Sequence, residues 1–193
     1  MRTLALLDYG FQVALAAMMA TILTAALVIQ FAMGELPCPL CLLERVCMFG
    51  IGLGVVMNLR GGFSGKHMGL ILLFAILLVV IATRQTLLDI YPRPGHAYIG
   101  SAILGLHMPV WSILIGLGTL FAYALKLTAL GNDGHLHQVP SHYFPSLFRI
   151  GSAVGLILIL LCAINLVAVV VQCGLGQCHT EGYRLLGDPL PAG

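Results

Sequence analysis

Residues 37–45 read "PCPLCLLER". Two cysteines, two prolines and an arginine interrupt an otherwise apolar sequence and divide it into a run at 12–33 and another at about 41–59. Each run is long enough to cross the hydrocarbon core as a helix, which takes roughly 20 mainly apolar residues. Three more follow at about 68–88, 101–125 and 150–172, separated by "RGG" from Arg60, by "YPRPGHAYIG" and by the polar stretch 126–149. Pro109 falls inside the fourth run, where neighbouring helices can accommodate it. The composition agrees: 60% of residues are hydrophobic and 8% charged, against roughly a quarter charged in soluble domains. The expected fold is an all-α integral membrane protein, four core transmembrane helices plus a fifth C-terminal one, in one transmembrane domain spanning 1–193. Residues 173–193 form a tail. The first run exceeds the apolar core of a signal peptide and lacks a clear small-residue cleavage site, so it is read as an anchor. A net charge of +2 gives no reason to expect a nucleic-acid partner; the lipid bilayer is the expected surrounding.

Basic residues set the expected orientation. Arg2, Arg60, Lys66, Lys126 and Arg149 fall on one side. Arg45, Arg84, Arg93 and Arg184 fall on the other, with the acids Glu35, Glu44, Asp89, Glu181 and Asp188. If Arg45 and Arg84 sit in helix ends for functional reasons, the first side is cytoplasmic and carries the amino terminus. Four crossings separate the "CPLC" loop from the tail "CGLGQC". Cys38, Cys41, Cys173 and Cys178 are therefore expected on one extracytoplasmic surface, where disulfides persist, with the carboxyl terminus on that side.

Two intervening residues between Cys38 and Cys41 permit a small redox disulfide, and Pro37 and Pro39 restrict the loop. A thiol exchanges as its thiolate, a form favoured by a helix amino terminus and by cations. Cys41 opens the second helix and Arg45 follows four residues later on the same face. An arginine at the bilayer edge needs a partner: a thiolate, a ligand head group or Glu44. The same spacing also suits two ligands of a metal site that Cys173 and Cys178 would complete with four sulfurs.

The stretch "PCPLCLLERVCMFG" resembles the second-helix motif of the disulfide bond formation protein B (DsbB) family, membrane enzymes that oxidise a thioredoxin-fold partner and reduce quinone. "RQTLLDIYP" from Arg84 and "LGLHMPVW" from Leu104 resemble the end of that family's third helix and the start of its last. The three motifs occur in order over roughly residues 12–125. The resemblance implies a thiol:quinone oxidoreductase of the bacterial inner membrane, with ubiquinone or menaquinone as cofactor and a soluble periplasmic DsbA-like oxidase as partner. It makes Cys41 the quinone-facing cysteine and Cys38 the one that exchanges with a second pair. Arg45, Arg84, Gln85 and His107 become candidate quinone-binding residues.

The family has four helices and carries its second pair between the third and fourth. This chain has no cysteine between Cys47 and Cys162. The expectation is that Cys173 and Cys178, beyond an extra helix, replace that pair, with Gly174 and Gly176 letting the loop bend. Cys47 and Cys162 are expected to be inert, His135, His137 and His142 to belong to a solvated loop, and Tyr91 and Trp111 to sit in the interfacial aromatic belt. An outward-directed thiol reductase and a four-sulfur zinc-binding membrane protein are the alternatives that share these cysteines.

Overall fold

Apolar sequence in hydrocarbon must satisfy its backbone internally, and the helix is the local way to do so. The computed structural model, which describes residues 2–90, 102–130, 144–174, 176, 178 and 183–187, follows that rule. Five helices result: α1 (Arg2–Ala32), α2 (Pro39–Gly61), α3 (Gly65–Ile90), α4 (Met108–Leu130) and α5 (Pro145–Cys173). All five are long and apolar enough to cross a membrane, as an all-α membrane protein requires. The turn expected over 91–100, with Tyr91 and Arg93, lies outside the described residues. So do His135, His137, His142, Glu181 and Asp188.

Helix α2 is the centre of the bundle. It packs against α1, α3 and α5, while α4 packs most extensively on α3. In its membrane-spanning window 67% of residues are buried, against 28% for α3, α4 and α5. The motif-bearing helix is thus the most enclosed of the five, and its neighbours form the walls around it. Helix α5 packs on α1 and α2 through one stripe, Gly151, Gly155, Leu158, Leu161, Asn165, Ala168 and Gln172, spaced by threes and fours as a helix face demands.

Several boundaries differ from the sequence expectation, including the start of α5 at Pro145 rather than 150. The fourth helix begins at Met108 rather than 101, because β1 (Ala102–Ile103) and β2 (Leu106–His107) form a two-residue hairpin before it. Leu104 (φ 53°) and Gly105 (φ 78°) both adopt left-handed backbone, the geometry such tight hairpins need. Pro109 then falls in the first turn of α4, where its missing N–H costs no bond, and not in the helix interior. Helix α4 also runs on through Lys126, which was expected in the following loop. Lys126 Nζ lies 3.0 Å from Asp8 Oδ2, both side chains being buried. The same pairing lets α1 start at Arg2 instead of near residue 12.

Around that ion pair a polar cluster forms at the end of the bundle remote from the cysteines. Lys126 sits over the Phe63 ring at 4.7 Å, and Tyr123 donates to Gln12 Oε1 at 2.8 Å. These contacts join α1 to α4. Lys126→Met is expected to destabilise the bundle by roughly 3–5 kcal/mol, since it leaves a buried carboxylate without its ammonium. Adding Asp8→Leu should recover most of that loss. Thermal unfolding in detergent checks both, and equal melting of Lys126→Met and the unaltered protein would refute the assignment.

Candidate active site

The helix start at the opening motif is built by its own residues. Cys38 is the N-cap of α2, its Sγ accepting from Cys41 N–H at 3.1 Å. Pro39 takes the first helical position, where its fixed φ is pre-organised and its absent N–H is no loss. Cys38 and Cys41 are joined as a disulfide lying in the first turn, where the helix dipole favours negative charge. Both are half-buried.

Arg45 lies one turn further along and is 9% exposed. Its Nη1 donates to Gln30 Oε1 at 2.7 Å and to Asn165 Oδ1 at 3.3 Å, and its Nη2 to the Ala26 carbonyl at 3.2 Å. A centrally placed arginine costs about 2.5–3.5 kcal/mol on the insertion scale, and each hydrogen bond to a charged group returns about 1.5–3 kcal/mol. Three bonds therefore suffice to hold it. All three acceptors are neutral, and the cavity that Arg45 lines also takes in the acidic residues Glu35 and Glu44. Glu44, expected as a possible partner, instead accepts from Ser112 Oγ at 2.7 Å.

Cys38, Cys41, Arg45 and Gln85 line one cavity of about 370 Å³, within the range of small-molecule sites. Helix α1 contributes Ile22, Leu23, Ala26 and Ile29, and α4 contributes Met108, Trp111, Ser112 and Ile115. The walls are apolar side chains with few convergent polar groups. Gln85, 5% exposed, donates from Nε2 to Cys41 Sγ at 3.3 Å, and its buried Oε1 accepts no bond from the described residues. The disulfide sulfur nearest the helix interior thus has a donor beside it that would favour a thiolate.

Two of the sequence candidates stand elsewhere. Arg84 is exposed on α3, because successive helical residues are turned about 100° apart and Gln85 takes the inward position. His107 is exposed in β2, held by the hairpin outside the cavity lining. Trp111, expected in an aromatic belt, lines the cavity instead. Cys47 is buried, Cys162 is exposed, and neither is in a disulfide.

The second pair, Cys173–Cys178, is also a disulfide. Gly174 ends α5 with φ 59°, its N–H donating to the Val170 carbonyl at 2.8 Å. That positive φ favours glycine. Gln172, fully buried, donates from Nε2 to the Pro37 carbonyl at 2.9 Å. The residue before Cys173 is therefore bonded to the residue before Cys38, and the two pairs occupy the same end of the bundle.

Sequence reading missed Gln30, Ser112, Asn165 and Gln172. The available signal was their isolation: a lone amide in an apolar span needs a partner, and both Gln30 and Asn165 find it in Arg45.

A family model described as Disulfide bond formation protein DsbB matches residues 10–98. A relative named Disulfide bond formation protein B, from Chromohalobacter salexigens, is 29% identical over 109 residues. The match takes in 50% of this chain and 60% of the relative. No solved structure matches. The matched stretch, residues 10–98, holds most of α1, all of α2 and α3 and the Cys38–Cys41 pair and is similar to the Disulfide bond formation protein DsbB family, while α4, α5 and the Cys173–Cys178 pair lie beyond it.

Proposed function

We propose that the protein is a disulfide-generating oxidoreductase of the bacterial inner membrane, which reoxidises a soluble DsbA-like dithiol partner and delivers the electrons to membrane quinone. The observation that carries this reading is that Cys41, Gln85 and the charged Arg45 line one and the same cavity. A quinone head is a flat apolar ring with a carbonyl acceptor at either edge, and Arg45 and Gln85 are two donors in this lining that could meet it. When bound, quinone supplies the two-electron oxidising equivalent and takes up two protons.

The chain's own residues account for the rest. A partner thiolate attacks Cys178, forming a mixed disulfide and releasing Cys173 as thiolate. Cys173 attacks Cys38, which releases Cys41 as thiolate beside Gln85 and the helix amino terminus. The partner's second thiol then expels the oxidised partner from Cys178, and Cys178 attacks Cys173 to restore that pair and free Cys38. Cys38 and Cys41 re-form their disulfide as two electrons leave to the acceptor. A partner poised near about −120 mV demands such a strong acceptor. In this scheme the amino terminus is cytoplasmic and both pairs are periplasmic. The convergence of the pairs through Gln172 and Pro37 supports it, and so does each pair's being a disulfide.

The test is oxidation of a reduced DsbA-type dithiol by the purified chain in anaerobic detergent. Without quinone the two disulfides should oxidise at most two equivalents and stop. A short-chain quinone should make oxidation continuous. Continuous oxidation without quinone, or no response to it, would refute the function.

A further inference from the structure

Helix α5 lies outside the matched family stretch, and most of its surface is exposed apolar side chain: Leu156, Ile159, Leu160, Leu166 and Val167 are each more than half exposed. Such a helix needs no amide, yet Asn165 lies in its inward stripe and is 5% exposed. Its Oδ1 accepts from Arg45 Nη1. Gln30 takes the same Nη1 on its Oε1 and donates from Nε2 to Tyr183 Oη at 3.3 Å. One guanidinium nitrogen is thus gripped from α1 and from α5, and the α1 grip extends to a residue just beyond the second cysteine pair.

We propose that Asn165 is a positioning residue for electron transfer to quinone: α5 completes the acceptor site by fixing the orientation of Arg45. The proposal rests on the reading of the Arg45 cavity as the quinone site. The physical case is the geometry of the planar guanidinium. The Ala26 carbonyl and Gln30 both lie on α1, so bonds to them anchor it from one side only. The bond to α5 supplies an anchor from another element and so restricts the guanidinium where it lines the cavity. A flexible cation at this place would bind an acceptor carbonyl only after losing rotamer freedom, and pre-organisation removes that cost.

The experiment uses the full chain in detergent, with dithiothreitol as electron donor and a short-chain ubiquinone as acceptor. Asn165→Leu should raise the KM for quinone roughly ten-fold, the loss expected of one hydrogen bond to a charged group, with kcat changed by less than about three-fold. Quinone-free oxidation of dithiothreitol by the two disulfides should keep its rate, which a merely structural lesion would not allow. Asn165→Gln, which retains the amide acceptor, should bring KM back toward the unaltered value. An unchanged KM in Asn165→Leu, or a parallel fall in quinone-free exchange and quinone turnover, would overturn the positioning role. Arg45→Gln is the control that separates the two readings: if it too leaves KM unchanged, the quinone site itself is wrongly assigned, whereas a raised KM in Arg45→Gln alone rejects only Asn165.

Discussion

Cys41→Ser is expected to abolish quinone-linked turnover, lowering it at least on the order of 10³-fold, the scale on which removal of a reacting nucleophile acts. The effect should be selective. Serine preserves the helix start, because the N-cap bond runs from the backbone N–H of residue 41 to Cys38 Sγ and does not use the residue 41 side chain. What is lost is the sulfur that lines the cavity beside Gln85. Cys38 is left without its disulfide partner. The remaining Cys173–Cys178 disulfide should then accept electrons from one equivalent of reduced partner and stay reduced, since no oxidised Cys38 is available to be attacked. Thiol counting after anaerobic titration checks this. One equivalent of partner oxidised, with no reoxidation on adding quinone, is the expected result. Turnover within about ten-fold of the unaltered protein would sink the assignment of Cys41 as the sulfur that meets the acceptor.

Five crossings were legible because hydrocarbon forces the apolar runs into helices, whatever packs on them. Their ends were less so. Asp8 and Lys126 look like boundary charges until each is known to neutralise the other across α1 and α4. The hairpin before α4 is equally hidden, since "AILGLH" carries no polar residue before its final histidine and only the backbone at Leu104 and Gly105 turns it. The inward face of α5 leaves no amphipathic trace, because lipid accepts the same aliphatic residues as the core does. In the site, spacing exposed Cys38, Cys41 and Arg45. It could not choose between Arg84 and Gln85, two neighbours of which only Gln85 faces inward. The shared partner of the amides Gln30 and Asn165 was hidden for a different reason: they come from helices distant in sequence, and only the folded bundle brings them to one Arg45 nitrogen.

The division of labour between the tail cysteines follows from where α5 stops. Cys173 is its last residue and is 5% exposed; Cys178 lies past the Gly174 turn and is half-buried. The Gln172–Pro37 bond fixes the backbone just before Cys173 against the backbone just before Cys38. In the proposed relay this placement makes Cys173 the expected partner of Cys38, and Cys178 the expected point of attack for a soluble thiolate. In chains reduced to two cysteines of the relay, Cys38 with Cys173 should therefore form an intramolecular disulfide on mild oxidation at least about ten-fold faster than Cys38 with Cys178, because pre-paid proximity sets the effective concentration of a thiol. A DsbA-type partner retaining only its nucleophilic cysteine, mixed with a Cys38→Ser chain, should be trapped on Cys178. Peptide mapping of that adduct reads the answer directly: a partner bonded to Cys173, together with faster closure of Cys38 onto Cys178, would reverse the order of the relay while leaving its endpoints in place. Gln172→Leu adds a discriminating arm. Without the bond to Pro37, closure of Cys38 onto Cys173 should slow, while trapping on Cys178, which uses no part of that contact, should keep its rate.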